Sequence, residues 1–140
     1  MNTDVQHKSV RKYHVSDAAM HGSQAIDHLL DEGHANGDVC GDSAYRSAAI
    51  RDRLESQGYR DRIHRKAVRG RPLSERSRRA NRRKSKTRAR VEHVFGRQAQ
   101  FACHLGTTLL RCIGMRRAEA EIGLRNLVYN LDRYARLVGE

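Results

Sequence analysis

The chain has 140 residues, with 28 Lys and Arg against 16 Asp and Glu, a formal charge of +12 and a pI of about 10.5. That length suits one domain with a modest core, and the charge excess makes a phosphate polyanion the natural partner. No apolar run approaches the roughly 18–20 residues a membrane helix needs, and the opening MNTDVQHKSVRKYHV has no apolar h-region, so a cytoplasmic protein with no membrane partner is expected.

Residues 3–8 and 10–15, around SVRKYHV, read as two short strands of a hairpin. SQAIDHLLDEG (23–33) sets Ile26, Leu29 and Leu30 at helical spacing, with Gly33 as the stop. DVCGDSAY (38–45) is an apolar run breaking into small residues, which predicts a buried strand entering a turn. SAAIRDRLESQGY (47–59) reads as a helix capped by Ser47, with Ile50 and Leu54 on one face and Gly58 as its stop. RDRIHR (60–65) is a further strand carried by Ile63. These elements form a strand and helix part over 1–66.

Composition then shifts. KAVRGRPLSE holds the single proline, Pro72, and little apolar content, so 67–75 is an exposed basic loop. Ser74 and Glu75 open a long basic helix, 76–98, that carries Glu92. From Arg60 to Arg90 the chain has fifteen Lys and Arg against two acids, Asp61 and Glu75, too one-signed for an ordinary solvated face. FACHLGTTL is a link. The last helix, 109–138, sets Ala120, Leu124, Leu127, Val128, Leu131, Ala135 and Val138 on one amphipathic stripe. The order of elements predicts an α/β protein with no internal repeat.

Three cysteines, Cys40, Cys103 and Cys112, without a C-x-x-C pair read as reduced thiols. Cys103, His104 and Cys112 fit no standard zinc spacing. RGRP, Arg69 to Pro72, resembles a minor-groove AT-hook core, in which an extended Arg-Gly-Arg lies in a narrow groove; an ordinary solvated loop is the plainer reading. Two Phe, five Tyr and no Trp offer no base-stacking platform, so double-stranded DNA is the expected ligand rather than single strands.

Two acids stand apart. Asp42 ends VCGD, after an apolar strand and among Gly41, Ser43 and Ala44, whose small side chains leave room for a metal ion and a DNA backbone. It is equally a turn stabiliser or a cap for the helix near Ser47. Glu92 sits in RARVEHVFGR, four residues after Arg88, where an i,i+4 ion pair is worth about 0.3–0.5 kcal/mol. Val91, Val94 and Phe95 form the apolar side of that helix, and Glu92 lies at its boundary.

GDSAYRS, then RARVEHVFG, then IGLRNLVYNLDR together resemble the C-terminal half of bacterial DDE transposases of the insertion-sequence-5 family, over nearly the whole chain. The resemblance implies an RNase H-like fold, incomplete here because the first strand is missing. It implies Asp42 and Glu92 as second and third acidic ligands of Mg²⁺ or Mn²⁺, and Arg88 as a catalytic partner that orients Glu92 or a phosphate. The family signature carries Tyr three residues before the Arg and Lys seven after the Glu; here those positions are Ser85 and Ala99. The first catalytic aspartate has no counterpart, since Asp4 resembles a hairpin residue and Asp17 opens the following turn. The expected function is Mg-dependent phosphodiester cleavage and strand transfer in DNA transposition, by a truncated or split fragment inactive alone. Its partners would be element ends and target DNA, with a complementary fragment or further copies of itself. Arg69, Arg71, Arg78, Arg79, Arg82, Arg83, Lys84, Lys86, Arg90 and Arg97 are the expected phosphate contacts. The alternative is a non-catalytic basic DNA-binding protein, with Asp42 a cap and Glu92 an ion-pair partner.

Overall fold

The computed structural model describes residues 1–17, 19–20, 22–30, 37–104 and 112–139. Its elements are β1 (Asn2–Thr3), β2 (Val10–Lys12), α1 (Ile26–Leu29), β3 (Asp38–Val39), α2 (Ala48–Ser56), β4 (Arg60–Asp61), α3 (Glu75–His104) and α4 (Met115–Val138), with short 3-10 turns at Gly22–Ala25 and Ser43–Tyr45. This is a mixed α/β arrangement, mostly helical, with two two-stranded sheets among the described residues. Two compact units form, one from Met1–Leu30 with Arg90–Glu140, the other from Asp31–Ala89. No helix among the described residues is long and apolar enough to cross a membrane.

In the first unit, β1 and β2 pair antiparallel, Asn2 opposite Lys12 and Thr3 opposite Val10. Both are shorter than the expected 3–8 and 10–15. The reason is Asp4, whose carboxylate accepts from the N–H groups of Gln6 (3.2 Å) and His7 (2.8 Å) and so turns the chain. Lys8 completes the turn at φ 58°, a left-handed conformation uncommon for a residue with a Cβ.

Val10, Val94 and Tyr129 make the buried cluster of this unit, with Met1 against it. Helix α4 meets the hairpin through polar groups. The Asn130 amide accepts from Val10 N–H (2.8 Å) and donates to Val10 C=O (2.9 Å). The Tyr129 hydroxyl donates to Lys8 C=O (2.7 Å) and Arg133 to His7 C=O (2.8 Å). Unpaired backbone groups at a strand edge are costly when shielded from water, and these side chains complete them. The expected apolar stripe therefore does not form the buried face: Leu124, Leu127, Val128, Leu131 and Val138 are each more than half exposed, whereas Asn126 and Tyr129 are buried. The helix begins at Met115, after Gly114 at φ 95°; the first residues of its expected span, 109–111, lie outside the described residues. So does the Gly33 stop expected for α1.

The second unit is a β-α-β segment, with Asp38 and Val39 parallel to Arg60 and Asp61. Pairing continues past the strands themselves: Arg60 N–H donates to Gly37 C=O (3.2 Å), Arg62 to Val39 (3.0 Å) and His64 to Gly41 (3.2 Å). Helix α2 has the expected signals. The Ser47 hydroxyl accepts from Ile50 N–H at 3.1 Å. At the other end Gly58 takes φ 79°, Gly58 N–H donates to Glu55 C=O and Tyr59 N–H to Leu54 C=O. That bond pair is the Schellman termination, and its apolar partners Leu54 and Tyr59 are both buried. Ile50 and Ile63 are buried beside them in sequence.

The segment between β4 and α3 closes a turn in which Arg71 N–H donates to Val68 C=O (2.9 Å) around Gly70 at φ 78°. Arg69-Gly70-Arg71 is thus folded back in a turn rather than extended. Helix α3 opens with Ser74, whose hydroxyl accepts from Ser77 N–H (3.3 Å). It runs past the expected end at Gln98 to His104. Residues 99–104 contain no Gly or Pro to stop it, and Ala102 is buried. The remainder of the expected link, 105–109, lies outside the described residues.

Candidate functional site

The parallel ladder of the second unit ends at Gly41, and Asp42 follows in extended conformation, φ −73° and ψ 161°. One carboxylate oxygen, Oδ1, accepts from Ser43 N–H and caps the 3-10 turn Ser43–Tyr45. The other, Oδ2, faces Arg88 Nη1 at 3.4 Å. The side chain is 53% exposed, so water and ions reach it. Of the two sequence readings, the capping one is therefore part of the geometry, at the 3-10 turn rather than at α2, which Ser47 caps.

The backbone around Asp42 is held from two sides. Gly41 C=O accepts both the main-chain N–H of His64 (3.2 Å) and its ring Nδ1 (2.9 Å). The other ring nitrogen, Nε2, lies 3.0 Å from Ser85 Oγ on α3. A carbonyl only accepts, so Nδ1 carries a proton; in the neutral ring Nε2 then accepts from the Ser85 hydroxyl. Alongside, Asn81 bonds both backbone groups of Arg65 (each 3.0 Å), Arg65 donates to Ser77 Oγ (3.1 Å) and Lys84 Nζ donates to Ile63 C=O (2.7 Å). Ser77, Asn81, Lys84, Ser85 and Arg88 recur at helical spacing and form one polar face of α3.

The expected phosphate contacts divide accordingly. Arg69 and Arg71 in the turn, and Arg78, Arg79, Arg82, Arg83 and Lys86 on α3, are exposed, with Arg79 also 3.5 Å from Glu75. Lys84 is committed to Ile63, and burial, ahead of the neighbouring charges, pulls its ammonium below the usual lysine range. Two belong to the first unit. Arg90 donates to Val5 C=O (2.8 Å). Arg97 bonds Asp132 (3.3 Å) and Gln100 (3.0 Å) and lies over the Phe101 ring at 4.8 Å. Glu92 also belongs to the first unit and is exposed on α3, while Val94, two residues on, is fully buried and Phe95, expected on the apolar side, is 55% exposed.

Among the described residues no group of three or more His, Cys, Asp or Glu side chains converges to hold a metal ion. Asp42 and Glu92 are hard-oxygen donors accessible to solvent, suited in kind to Mg²⁺. The cysteines are free thiols, and the His104 side chain considered for zinc lies outside the described residues. Asp4 and Asp17 spend their carboxylates on turns, Asp17 accepting from Ala19 and Met20 N–H (3.2 and 3.0 Å). Sequence reasoning missed His64 and Ser85. Neither has a spacing signal; the one available clue was that RDRIHR, if parallel to DVCG, would set a histidine beside the residue before Asp42.

The sequence model of the transposase DDE domain matches residues 1–131 of this chain. The transposase for insertion sequence element IS1106 of Neisseria meningitidis serogroup B is 39% identical over 85 residues, which make up 61% of this chain and 30% of that relative. The chain thus aligns with less than a third of the relative's length. No solved structure matches it.

Proposed function

The chain belongs to the transposase DDE-domain family, and on that premise we propose that it supplies two of the acidic metal ligands and much of the DNA-contacting surface of a DNA transposase. The observation that carries the reading is Asp42, an exposed carboxylate set directly after a parallel ladder and opposite Arg88. The β-α-β segment is compatible with an RNase H-like fold, and the insertion-sequence-5 group remains the proposed branch of the family. Asp42 and Glu92 would hold Mg²⁺ or Mn²⁺, which when bound polarises the scissile phosphodiester and its attacking oxygen. No third acid is assigned to Asp4 or Asp17, which resemble hairpin and turn residues and accept turn N–H groups. Arg88, which faces Asp42 here, would orient Glu92 or a phosphate. The exposed arginines would neutralise phosphates of element ends and target DNA, in the cytoplasm.

Alone, this chain is expected not to join DNA. Purified protein with Mg²⁺ and element ends should give no joined product in a strand-transfer assay; product would refute this. In a complete transposase carrying this segment, Asp42→Asn should lower strand transfer by more than about a hundredfold, since even groups behind a metal ligand cost about 10–100-fold, with DNA affinity kept. A non-catalytic DNA-binding protein would show neither Mg²⁺-dependent activity nor any effect of that substitution.

A further inference from the structure

Five residues of the second unit close a ring of contacts. Gly41 precedes Asp42 in the chain; Asp42 Oδ2 meets Arg88 (3.4 Å); Arg88 lies one helical turn after Ser85 on α3; Ser85 Oγ meets His64 Nε2 (3.0 Å); and His64 Nδ1 returns to Gly41 C=O (2.9 Å). The ring makes two of these links: Nδ1–H donates to the carbonyl, which can only accept, and in the neutral ring Nε2 accepts from the Ser85 hydroxyl. The half-buried imidazole thus spans from the strand end to the helix.

From this geometry we propose that His64 and Ser85 are positioning residues for the Asp42 carboxylate. Main-chain pairing from His64 N–H alone fixes Gly41 along the ladder. The second bond, from the ring, fixes the peptide that follows it, and with it the direction in which the Asp42 side chain leaves the backbone. Ser85 supplies what the ring needs to stay in place, since a lone bond from Nδ1 leaves it free to turn about χ2. Ser85 and Arg88, three residues apart on one rigid helix, then hold the strand end and its carboxylate in a common frame. The functional weight of this arrangement rests on Asp42 being a metal ligand. The positioning itself does not, and the two are separable by experiment.

The test uses the whole chain labelled with ¹⁵N. Ring ¹⁵N shifts should show His64 in the Nδ1–H form, and Ser85→Ala should turn this into a mixture of tautomers, while Ser85→Thr, which keeps the hydroxyl, should restore it. Without metal, exchange of the Ser43 amide, held by the Asp42 carboxylate, should speed about two- to tenfold in His64→Leu and Ser85→Ala, the effect of losing one hydrogen bond. His64→Asn, whose amide nitrogen can take the place of Nδ1, and Ser85→Thr should stay near the original rate. Unchanged Ser43 exchange in both disrupting variants, with the fold intact by circular dichroism, overturns the proposal. If His64→Leu fails to fold, Ser85→Ala against Ser85→Thr decides it by the same readout. Mn²⁺ added as a paramagnetic probe should broaden the Ser43 amide, with affinity falling by the same factor in the disrupting variants. If the original chain and Asp42→Asn respond to Mn²⁺ identically, the metal reading of Asp42 fails, and the Ser43 exchange result still decides the positioning role.

Discussion

Asp42 divides its carboxylate between a turn and a cation: Oδ1 takes Ser43 N–H, and Oδ2 faces Arg88 across 3.4 Å. A metal ion at Oδ2 must compete with that guanidinium. At about half exposure, such a pair is worth only about 0.2–1 kcal/mol. Arg88→Met should therefore raise the Mn²⁺ affinity of this chain by no more than about fivefold, read by titration, while lowering strand transfer in a complete enzyme. A fall in Mn²⁺ affinity would show Arg88 to assist the ligand rather than compete with it. Asp42, Arg88 and Glu92 each stand in a short sequence motif, and the structure sets Arg88 beside Asp42. The ring that holds Asp42 has no such motif. Ser85 looked like a loss, standing where the resembled signature carries tyrosine, yet its hydroxyl is the partner of His64. Hydrogen bonds between residues 21 and 23 apart in the chain leave no periodicity for a reader of sequence to find.

At the scale of elements, the same device appears in each unit. Asn81 on α3 bonds both backbone groups of Arg65, and Asn130 on α4 bonds both of Val10. A primary amide presents a donor and an acceptor side by side, so it serves an open strand edge as a neighbouring strand would. Asn130→Ala should cost about 1–3 kcal/mol, the penalty for leaving partly buried polar groups unpaired, measured by urea unfolding. Asn81→Ala should cost less, because water reaches the groups it frees. A neutral result at Asn130 would mean that packing of Tyr129 and Val94 holds α4 without the amide. This also explains why the sequence located α4 well and its buried face poorly. Hydropathy periodicity identifies a helix, but it ranks faces by apolarity. Here the face against the hairpin is chosen by hydrogen bonding to backbone, and the leucines point elsewhere. In α2, by contrast, Ser47 and Gly58 act on their own neighbours, so their roles could be read locally.

Across the whole molecule, charge governs behaviour. The exposed arginines of α3 predict salt-dependent affinity for duplex DNA. Replacing Arg82 and Arg83 with Gln should reduce the slope of log K against log[salt] by about 2, at about 0.9 per neutralised phosphate, with little dependence on DNA sequence. An unchanged slope would remove that face of the helix from the DNA interface. Acid should act on the first unit. Hydrogen bonds from Arg97, and then from Arg136, hold the Asp132 carboxyl below its usual range against the opposing effect of burial. Asp4 is likewise low: burial pushes it up, but the N–H groups of His7 and Gln6 and the His7 ring outweigh it. A depressed carboxyl stabilises the fold fully above its ordinary value, about pH 4, and that contribution is lost as pH falls through the lowered one. Urea midpoints should thus be steady from neutrality to about pH 5 and fall below about pH 4, with a shallower fall in Asp132→Asn. An equally steep fall in that variant would place the acid sensitivity elsewhere.

The central proposal is that Asp42 and Glu92 each serve as a metal ligand in a DNA transposase. It is tested most directly by Mg²⁺-dependent strand transfer with a complete transposase carrying this segment, comparing the original protein with Asp42→Asn and Glu92→Gln at equal DNA occupancy. The account predicts that each substitution alone abolishes joined product while duplex binding is retained. Joining at the original rate in either variant would contradict it.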